Sequence, residues 1–198
     1  MSGHVQQASL DASAALLRWL DAMPLDDNPG TLAAAPGAAS APHGQDWQGW
    51  LEQARLITDL ESGLAALLRS ETEPLRRSRA AMALGYVGDG GTSGGRSSGE
   101  NASAALRAAL AGDVALVAME AAAALGRRGR TSDVAALCAA LGHADANVRA
   151  NACTALGNLG GSAAQAGLRA ASADDDAYVR AAATDALHRL TGGTMTPL

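Results

Sequence analysis

The sequence predicts an all-α fold, a right-handed α-solenoid (superhelix) of stacked helical hairpins. Two observations lead to this prediction: the composition favours helices, and one pattern recurs at a fixed interval. Of the 198 residues, 48% are hydrophobic but only 3% are aromatic, and Phe is absent. Ala and Leu therefore supply most of the apolar side chains, which suits closely packed helices better than a β-sandwich rich in Val, Ile and aromatic residues.

The recurring pattern is an Ala-rich apolar stretch that ends in a Leu-Gly pair. Leu125, Leu156 and Leu187 follow one another at intervals of 31 residues, with His188 in place of the glycine in the last unit, and Leu84 precedes Leu125 by 41 residues. The ten extra residues are expected in a Gly/Ser insertion at residues 88–100. Alanines keep the same register in one column of the repeat: Ala80, Ala121, Ala152 and Ala183. A fixed period of this length indicates a repeat architecture.

Three segments are predicted along the chain. Residues 1–23 form an N-terminal amphipathic helix, residues 24–44 a Pro/Ala/Gly linker, and residues 45–198 the repeat domain. The apolar side of the first helix includes Leu16, Leu20 and Trp19. Three roles stay open for this helix: docking on the solenoid, binding a partner or lying on a membrane, the last disfavoured by its two aspartates.

Each repeat unit is predicted to contain two helices, A and B. Asp145 and Asp176 stand at the N-cap positions of successive A helices, and Gly157 or Gly160 is suited to end one of them. One hairpin cannot bury both of its faces, so neighbouring hairpins must stack. Residues 45–69 keep a helical period and are expected to form a degenerate pair that caps the solenoid.

The Asp-x-x-Val-Arg sequences at Asp145–Arg149 and Asp176–Arg180, with the Ala-Leu-Gly endings, resemble HEAT repeats. The short period is similar to the HEAT-like type of phycobiliprotein lyases and many bacterial accessory proteins. The resemblance covers residues 62–192 and implies a solenoid whose B helices line the concave side. Two units depart from the pattern, with Val117-Ala118 and Arg76-Arg77 in place of Val-Arg.

Several functional classes are disfavoured by composition. The net charge is −5 and all 15 basic residues are Arg, so no broad basic surface for nucleic acid is expected. No secretory signal and no apolar run of membrane-spanning length occur, which predicts a cytoplasmic protein without a membrane contact. The Gly-rich sequence at residues 90–97 has P-loop spacing, but a helix precedes it, so we interpret it as part of the insertion.

No catalytic, metal or cofactor site is predicted. The four histidines lack the i, i+4 spacing of a helical metal pair, and the chain has none of the His-Glu pairs that iron-binding HEAT-like hydroxylases carry. Cys138 and Cys153 are interpreted as small core residues. The sequence therefore predicts a protein that is not an enzyme and binds no metal or cofactor.

Five residues are candidates for contact with a protein partner. Arg149 and Arg180 share one column with Arg77, and they either bridge to an aspartate in a neighbouring loop or form a basic ladder for an acidic partner. Arg107 and Arg169 share a column on the B helices, which the resemblance places on the concave side. Trp19 belongs to the N-terminal helix.

The predicted function is a non-catalytic interaction scaffold or adaptor that offers its concave face to a protein partner. Two alternatives stay open. One is an accessory enzyme similar to bilin lyases, acting on a chromophore-protein, and the other is an immunity-type antagonist. The oligomeric state is not predicted.

Overall fold

The computed structural model describes residues 14–23, 47–54, 57, 59–87, 96–112 and 114–191, and all regular secondary structure in these ranges is helical. Residues 1–13, the predicted linker at 24–44 and the first part of the insertion, 88–95, lie outside the described residues. The helices have the following bounds: α1 at residues 14–21, α2 Trp47–Ala54, α3 Leu60–Ser70, α4 Pro74–Tyr86, α5 Arg96–Leu110, α6 Ala115–Arg128, α7 Val134–Ala140 after a 3-10 turn at Thr131–Asp133, α8 Ala146–Leu159, α9 Ser162–Ala171 and α10 Ala177–Thr191.

The helices stack in two layers, which confirms the predicted all-α solenoid. The A layer contains α4, α6, α8 and α10, each packed on the next, and the B layer contains α3, α5, α7 and α9 in the same order. The predicted columns point into the space between the layers, where these side chains are fully buried: Leu106, Leu137, Leu168, Leu84, Leu125, Leu156, Val148 and Val179. Burying such leucines is worth roughly 1.5–3 kcal/mol each. The predicted right-handedness stays a prediction.

The glycine of the repeat lies inside the A helices and does not end them. A Cβ added to Gly126 would stand 2.8 Å from both Cα and Cβ of Ala155 on the next A helix, and one added to Gly157 would stand 2.8 Å from Cβ of Ala186. The suggestion that Gly157 ends its helix is therefore wrong, and Gly160 is the C-cap residue of α8. The glycine column lets neighbouring A helices approach with backbones almost in contact.

The predicted N-caps are present. The Asp145 carboxylate accepts hydrogen bonds from the backbone N–H groups of Asn147 at 2.8 Å and Val148 at 3.3 Å. Asp176 accepts from Tyr178 and Val179 at the same two distances. Each aspartate thus satisfies two backbone donors that a helix start leaves without an intrahelical partner.

The N-terminal helix α1 docks on the solenoid. Trp19 is 4% exposed and Leu20 is fully buried. Asp21 pairs with Arg76 at 3.4 Å and with Arg79 at 3.6 Å, both on α4. Of the three roles that the sequence left open for this helix, the structure has the docked one.

Residues 96–100 of the predicted insertion at residues 88–100 are helical, because α5 begins at Arg96. Gly99 is buried and its carbonyl oxygen accepts a hydrogen bond from Arg128 Nη2 at 3.2 Å. A Gly/Ser-rich composition favoured a loop here, but this long-range contact holds the first turn of α5 in place.

Candidate functional site

The exposed side of α5, α7 and α9, called the B face below, is covered by small side chains. Its exposed small residues lie on the three helices and on the turns that follow them: Ala104, Ala108, Ala135, Ala139, Gly142, Ala166, Ala170 and Ala173. Small residues leave helix backbones accessible to another molecule. The longer side chains of the charged residues project beyond these small side chains.

A pocket of about 220 Å³ opens between α5, α7 and the turn after α7. Eight residues line it: Arg107, Leu110, Ala111, Ala136, Ala139, Ala140, Gly142 and His143. Six of the eight are aliphatic or glycine, so the pocket is apolar with a cation on its wall. One predicted site residue, Arg107, is therefore part of a concave site.

Arg107 is the centre of a network of ion pairs. Its Nη1 donates to Oδ1 of Asp133, whose side chain is fully buried, and its Nη2 donates to Oε1 of Glu100, whose side chain is 51% exposed. The other oxygen of Glu100 accepts from Arg130 Nη2 at 2.9 Å. The hydrogen bond from Arg107, with its positive charge, lowers the pKa of Glu100.

Only one of the two carboxylate oxygens of Asp133 accepts a hydrogen bond among the described residues, and its donor is Arg107. The other oxygen, Oδ2, is buried and accepts no hydrogen bond within the part of the chain that the structure describes. A buried carboxylate is costly unless a cation neutralises it. Asp133 therefore fixes the position of the Arg107 guanidinium.

His143 also lines the pocket, from the turn before α8. Its Nδ1 accepts a hydrogen bond from the backbone N–H of Asp145 at 3.0 Å. A neutral imidazole that accepts at Nδ1 carries its proton on Nε2. The ring thus packs at the pocket with one nitrogen already committed to the N-cap turn.

The arginine column holds the turns between units. Arg149 pairs with both carboxylate oxygens of Asp174, Nε to Oδ2 at 2.9 Å and Nη2 to Oδ1 at 2.8 Å, and its Nη1 also donates to the carbonyl of His143 at 2.9 Å. Arg180 Nη1 donates to the carbonyls of Asp174 and Asp175 at 2.8 and 2.9 Å. Of the two hypotheses for this column, the structure has the bridge to an aspartate in a neighbouring loop at Arg149, which pairs with Asp174.

The other two predicted residues differ in exposure. Arg169 is exposed on the B face and forms no ion pair with any residue that the structure describes. Trp19 is buried in the core beneath α1 and so cannot present its ring to a partner in the docked state. Only Arg107 and Arg169 therefore stay on a surface that a partner could contact through the B helices.

Two buried charged residues were missed by the sequence analysis. Arg128 donates to the carbonyl of Leu84 at 2.9 Å and to Oε1 of Glu61 at 2.6 Å, linking α6 to α4 and α3. The repeat register could have revealed both of them, Arg128 and Asp133, because each is a charged residue in an otherwise apolar column. Arg128 stands in the column of Val87, Leu159 and Leu190, and Asp133 in that of Ala102 and Ala164. A charge in an apolar column has to be paired inside the fold.

Two kinds of feature are absent from the described residues. They contain no group of three or more His, Cys, Asp or Glu side chains able to hold a metal ion. No helix among them has the length and apolar character needed to cross a membrane.

The two stacked layers and the glycine column define a repeat protein of the helical-hairpin class. Residues 102–188 match the family model of HEAT repeats, which confirms the prediction of a HEAT-like repeat protein. No curated protein matches the chain.

Among solved structures, human deoxyhypusine hydroxylase in complex with glycerol is similar to this chain. The two are 26% identical and superimpose with a TM-score of 0.56, over 82% of this chain and 52% of the hydroxylase. This chain therefore spans about half the length of that structure.

This comparison corrects one prediction. We expected a protein that is not an enzyme, but deoxyhypusine hydroxylase is an enzyme with a HEAT-repeat fold. The missing His-Glu pairs and the absence of histidines at metal-pair spacing were the basis of that expectation, and a HEAT-repeat fold does not exclude enzymatic activity.

Proposed function

We propose that this HEAT-like solenoid binds a protein partner on its B face. The observation that carries the proposal is the pocket between α5 and α7, which opens on a surface of small side chains. Concave, mostly apolar sites with a few fixed polar groups are the usual form of binding sites. Repeat proteins also commonly bind through one extended surface of the stack.

Charge supports the same surface. Although the chain has a net charge of −5, three arginines lie along the B layer. Arg107 and Arg130 pair with Asp133 and Glu100, whereas Arg169 is exposed and forms no ion pair with a residue that the structure describes. Arg is enriched at protein interfaces because its planar guanidinium pairs with carboxylates through two hydrogen bonds. An acidic segment of a partner is therefore better suited to the B face than a basic one.

Site-specific photo-crosslinking tests the proposal. A photoreactive amino acid is placed at Ala139, on the rim of the pocket, and a matched one at Thr154, an exposed residue of α8 in the A layer. We expect a discrete crosslinked protein from native extract at position 139 and none at position 154. The same partner should be lost from a pull-down with Ala139→Arg and kept with Thr154→Arg.

The outcome also addresses the alternatives. Equal crosslinking at both positions, or none at position 139, would remove the B face from consideration. A visible absorption band in the pull-down eluate would favour action on a chromophore-protein. A partner whose activity falls when this protein is added would favour the antagonist.

A further inference from the structure

We propose that the pocket beside Arg107 binds an aliphatic carboxylate, with the carboxylate on Arg107 and the aliphatic group against the alanines of α7. The chemical class is that of a leucine or valine residue with a free terminal carboxylate, or of a small branched-chain acid. The inference deepens the proposed function, because a partner's C-terminus would supply this group.

The position of Arg107 is fixed before any ligand arrives. Asp133, fully buried, holds Nη1 of the guanidinium, so this side of Arg107 cannot be given up without leaving an unpaired buried carboxylate. Arg107 is itself only 27% exposed along its side chain. A cation held in this way is preorganised, and a ligand does not have to order it on binding.

Glu100 is the acid that a ligand can replace. It lies on the exposed side of the network, with 51% of its side chain accessible, and it also has Arg130 as a partner at 2.9 Å. A carboxylate that takes Nη2 of Arg107 therefore leaves Glu100 paired with Arg130. Glu100 acts in this arrangement as an internal stand-in for the ligand's carboxylate.

The size and lining of the pocket select the rest of the ligand. Pockets for drug-sized molecules usually measure about 300–1,000 Å³, and this one measures about 220 Å³. Its wall is formed mainly by Leu110, Ala136, Ala139 and Ala140. The space and the apolar lining suit one branched aliphatic side chain whose carboxylate is adjacent to the cation.

The first experiment is a titration of the full chain with matched small probes. Binding is measured from the changes in amide chemical shifts in NMR spectra. The probes are N-acetyl-leucine and N-acetyl-leucinamide, which differ only in the carboxylate. We expect the acid to shift the amide signals around Arg107 and Gly142 and to bind at least about tenfold more tightly than the amide. Equal affinities for acid and amide would overturn the proposal.

Variants of the chain give a directional test. Glu100→Gln removes the competing charge and should tighten N-acetyl-leucine binding several-fold, whereas Ala139→Leu fills the pocket and should abolish it. Because Arg107→Gln leaves Asp133 unpaired, it is combined with Asp133→Asn, and this double variant should lose binding as well. Unchanged or weaker binding by Glu100→Gln would contradict the stand-in role, and the inference would fall.

Two further probes identify the source of the ligand. A pentapeptide ending in Ala-Leu with a free carboxylate is compared with 4-methylpentanoate. Tighter binding of the peptide assigns the site to a protein C-terminus, and tighter binding of the acid assigns it to a free metabolite; both support the pocket. Crosslinking at Ala139 without binding of any probe would leave the proposed function in place and reject this inference alone.

Discussion

At the residue scale, the two thiols differ in access. Cys153 is fully buried, and burial raises its pKa to about 11. Cys138 is partly exposed on α7, with a pKa raised by burial as well. Since the thiolate is the reactive form, Cys153 should not react with a disulfide reagent at pH 8 in the native protein.

We therefore expect one slow equivalent of thiol in native protein and two in denaturant, measured by the colour released from the reagent. Cys138→Ala should remove the native reaction entirely. Two rapid equivalents in the native state would show that the packing around α8 is looser than in the structure.

The pair between Arg149 and Asp174 gives a pH prediction. The hydrogen bond from Arg149 lowers the pKa of Asp174, and a backbone hydrogen bond from Asp176 adds to this effect. A carboxyl with a lowered pKa in the folded state stabilises the protein above its unfolded pKa, and this stabilisation is lost as the pH falls through the folded value.

Asp174→Asn should thus destabilise the protein at pH 6–8 by a constant amount, and the difference from wild type should shrink below about pH 4, where the unfolded-state carboxyl titrates. Urea unfolding at several pH values measures it. Asp175→Asn is the control, because the Asp175 side chain forms no ion pair with a residue that the structure describes. An equal effect of both substitutions would show that general charge, and not the Arg149 pair, is responsible.

At the element scale, the glycine column sets the distance between A helices. Alanine has the higher helix propensity by about 1 kcal/mol, so Gly126→Ala would stabilise an isolated helix. In this fold its Cβ would stand 2.8 Å from Ala155. We expect a net loss of about 1–3 kcal/mol, as for other overpacked contacts, in denaturant unfolding.

Gly142→Ala is the matched control, because its added Cβ would meet only the carbonyl oxygen of Ala139 at 3.6 Å. That substitution should be neutral or slightly stabilising. A neutral Gly126→Ala would mean that α6 and α8 can separate at no cost.

The repeat register predicted most of the elements, but not the role of its glycines. The period located the buried columns and the two N-cap aspartates, because both depend on residues close in sequence. Gly157 and Gly160 were alternatives for the helix end, since Gly is usual there; Gly160 is the C-cap, and only the stacked neighbour Ala186 reveals the close contact at Gly157. The first residues of α5 were likewise assigned to the insertion. The contact that holds the first turn of α5 comes from Arg128, which is distant in sequence.

At the scale of the whole molecule, the site was predicted less well than the fold. Arg107 and Arg169 were placed on the B helices correctly, but the pocket depends on how α5 and α7 pack. The partner of Arg107, Asp133, is 26 residues away. Trp19 was a candidate for contact with a partner, but it is buried against the solenoid. An amphipathic pattern indicates that the apolar face of a helix is buried, but it does not identify the surface that buries it.

The coupling between the two ends of the solenoid is the property that its architecture determines most directly. Each unit of a solenoid contacts only its neighbours, and the A helices here pack in sequence from α4 to α10. A local loss of packing should therefore weaken adjacent units first. Trp19→Ala and Leu156→Ala test this at opposite places in the stack, since each removes a buried side chain and should cost about 2–5 kcal/mol.

Hydrogen exchange measured by mass spectrometry distinguishes their effects. Trp19→Ala should speed exchange in α1, α3 and α4 and leave α8 to α10 unchanged, because α1 contacts Gly63 and Arg76 at that end. Leu156→Ala should speed exchange in α6, α8 and α10. Uniform acceleration of exchange along the chain in either variant would mean that the solenoid unfolds as one cooperative unit. A destabilising mutation anywhere in the stack would then also destabilise a site on the B face.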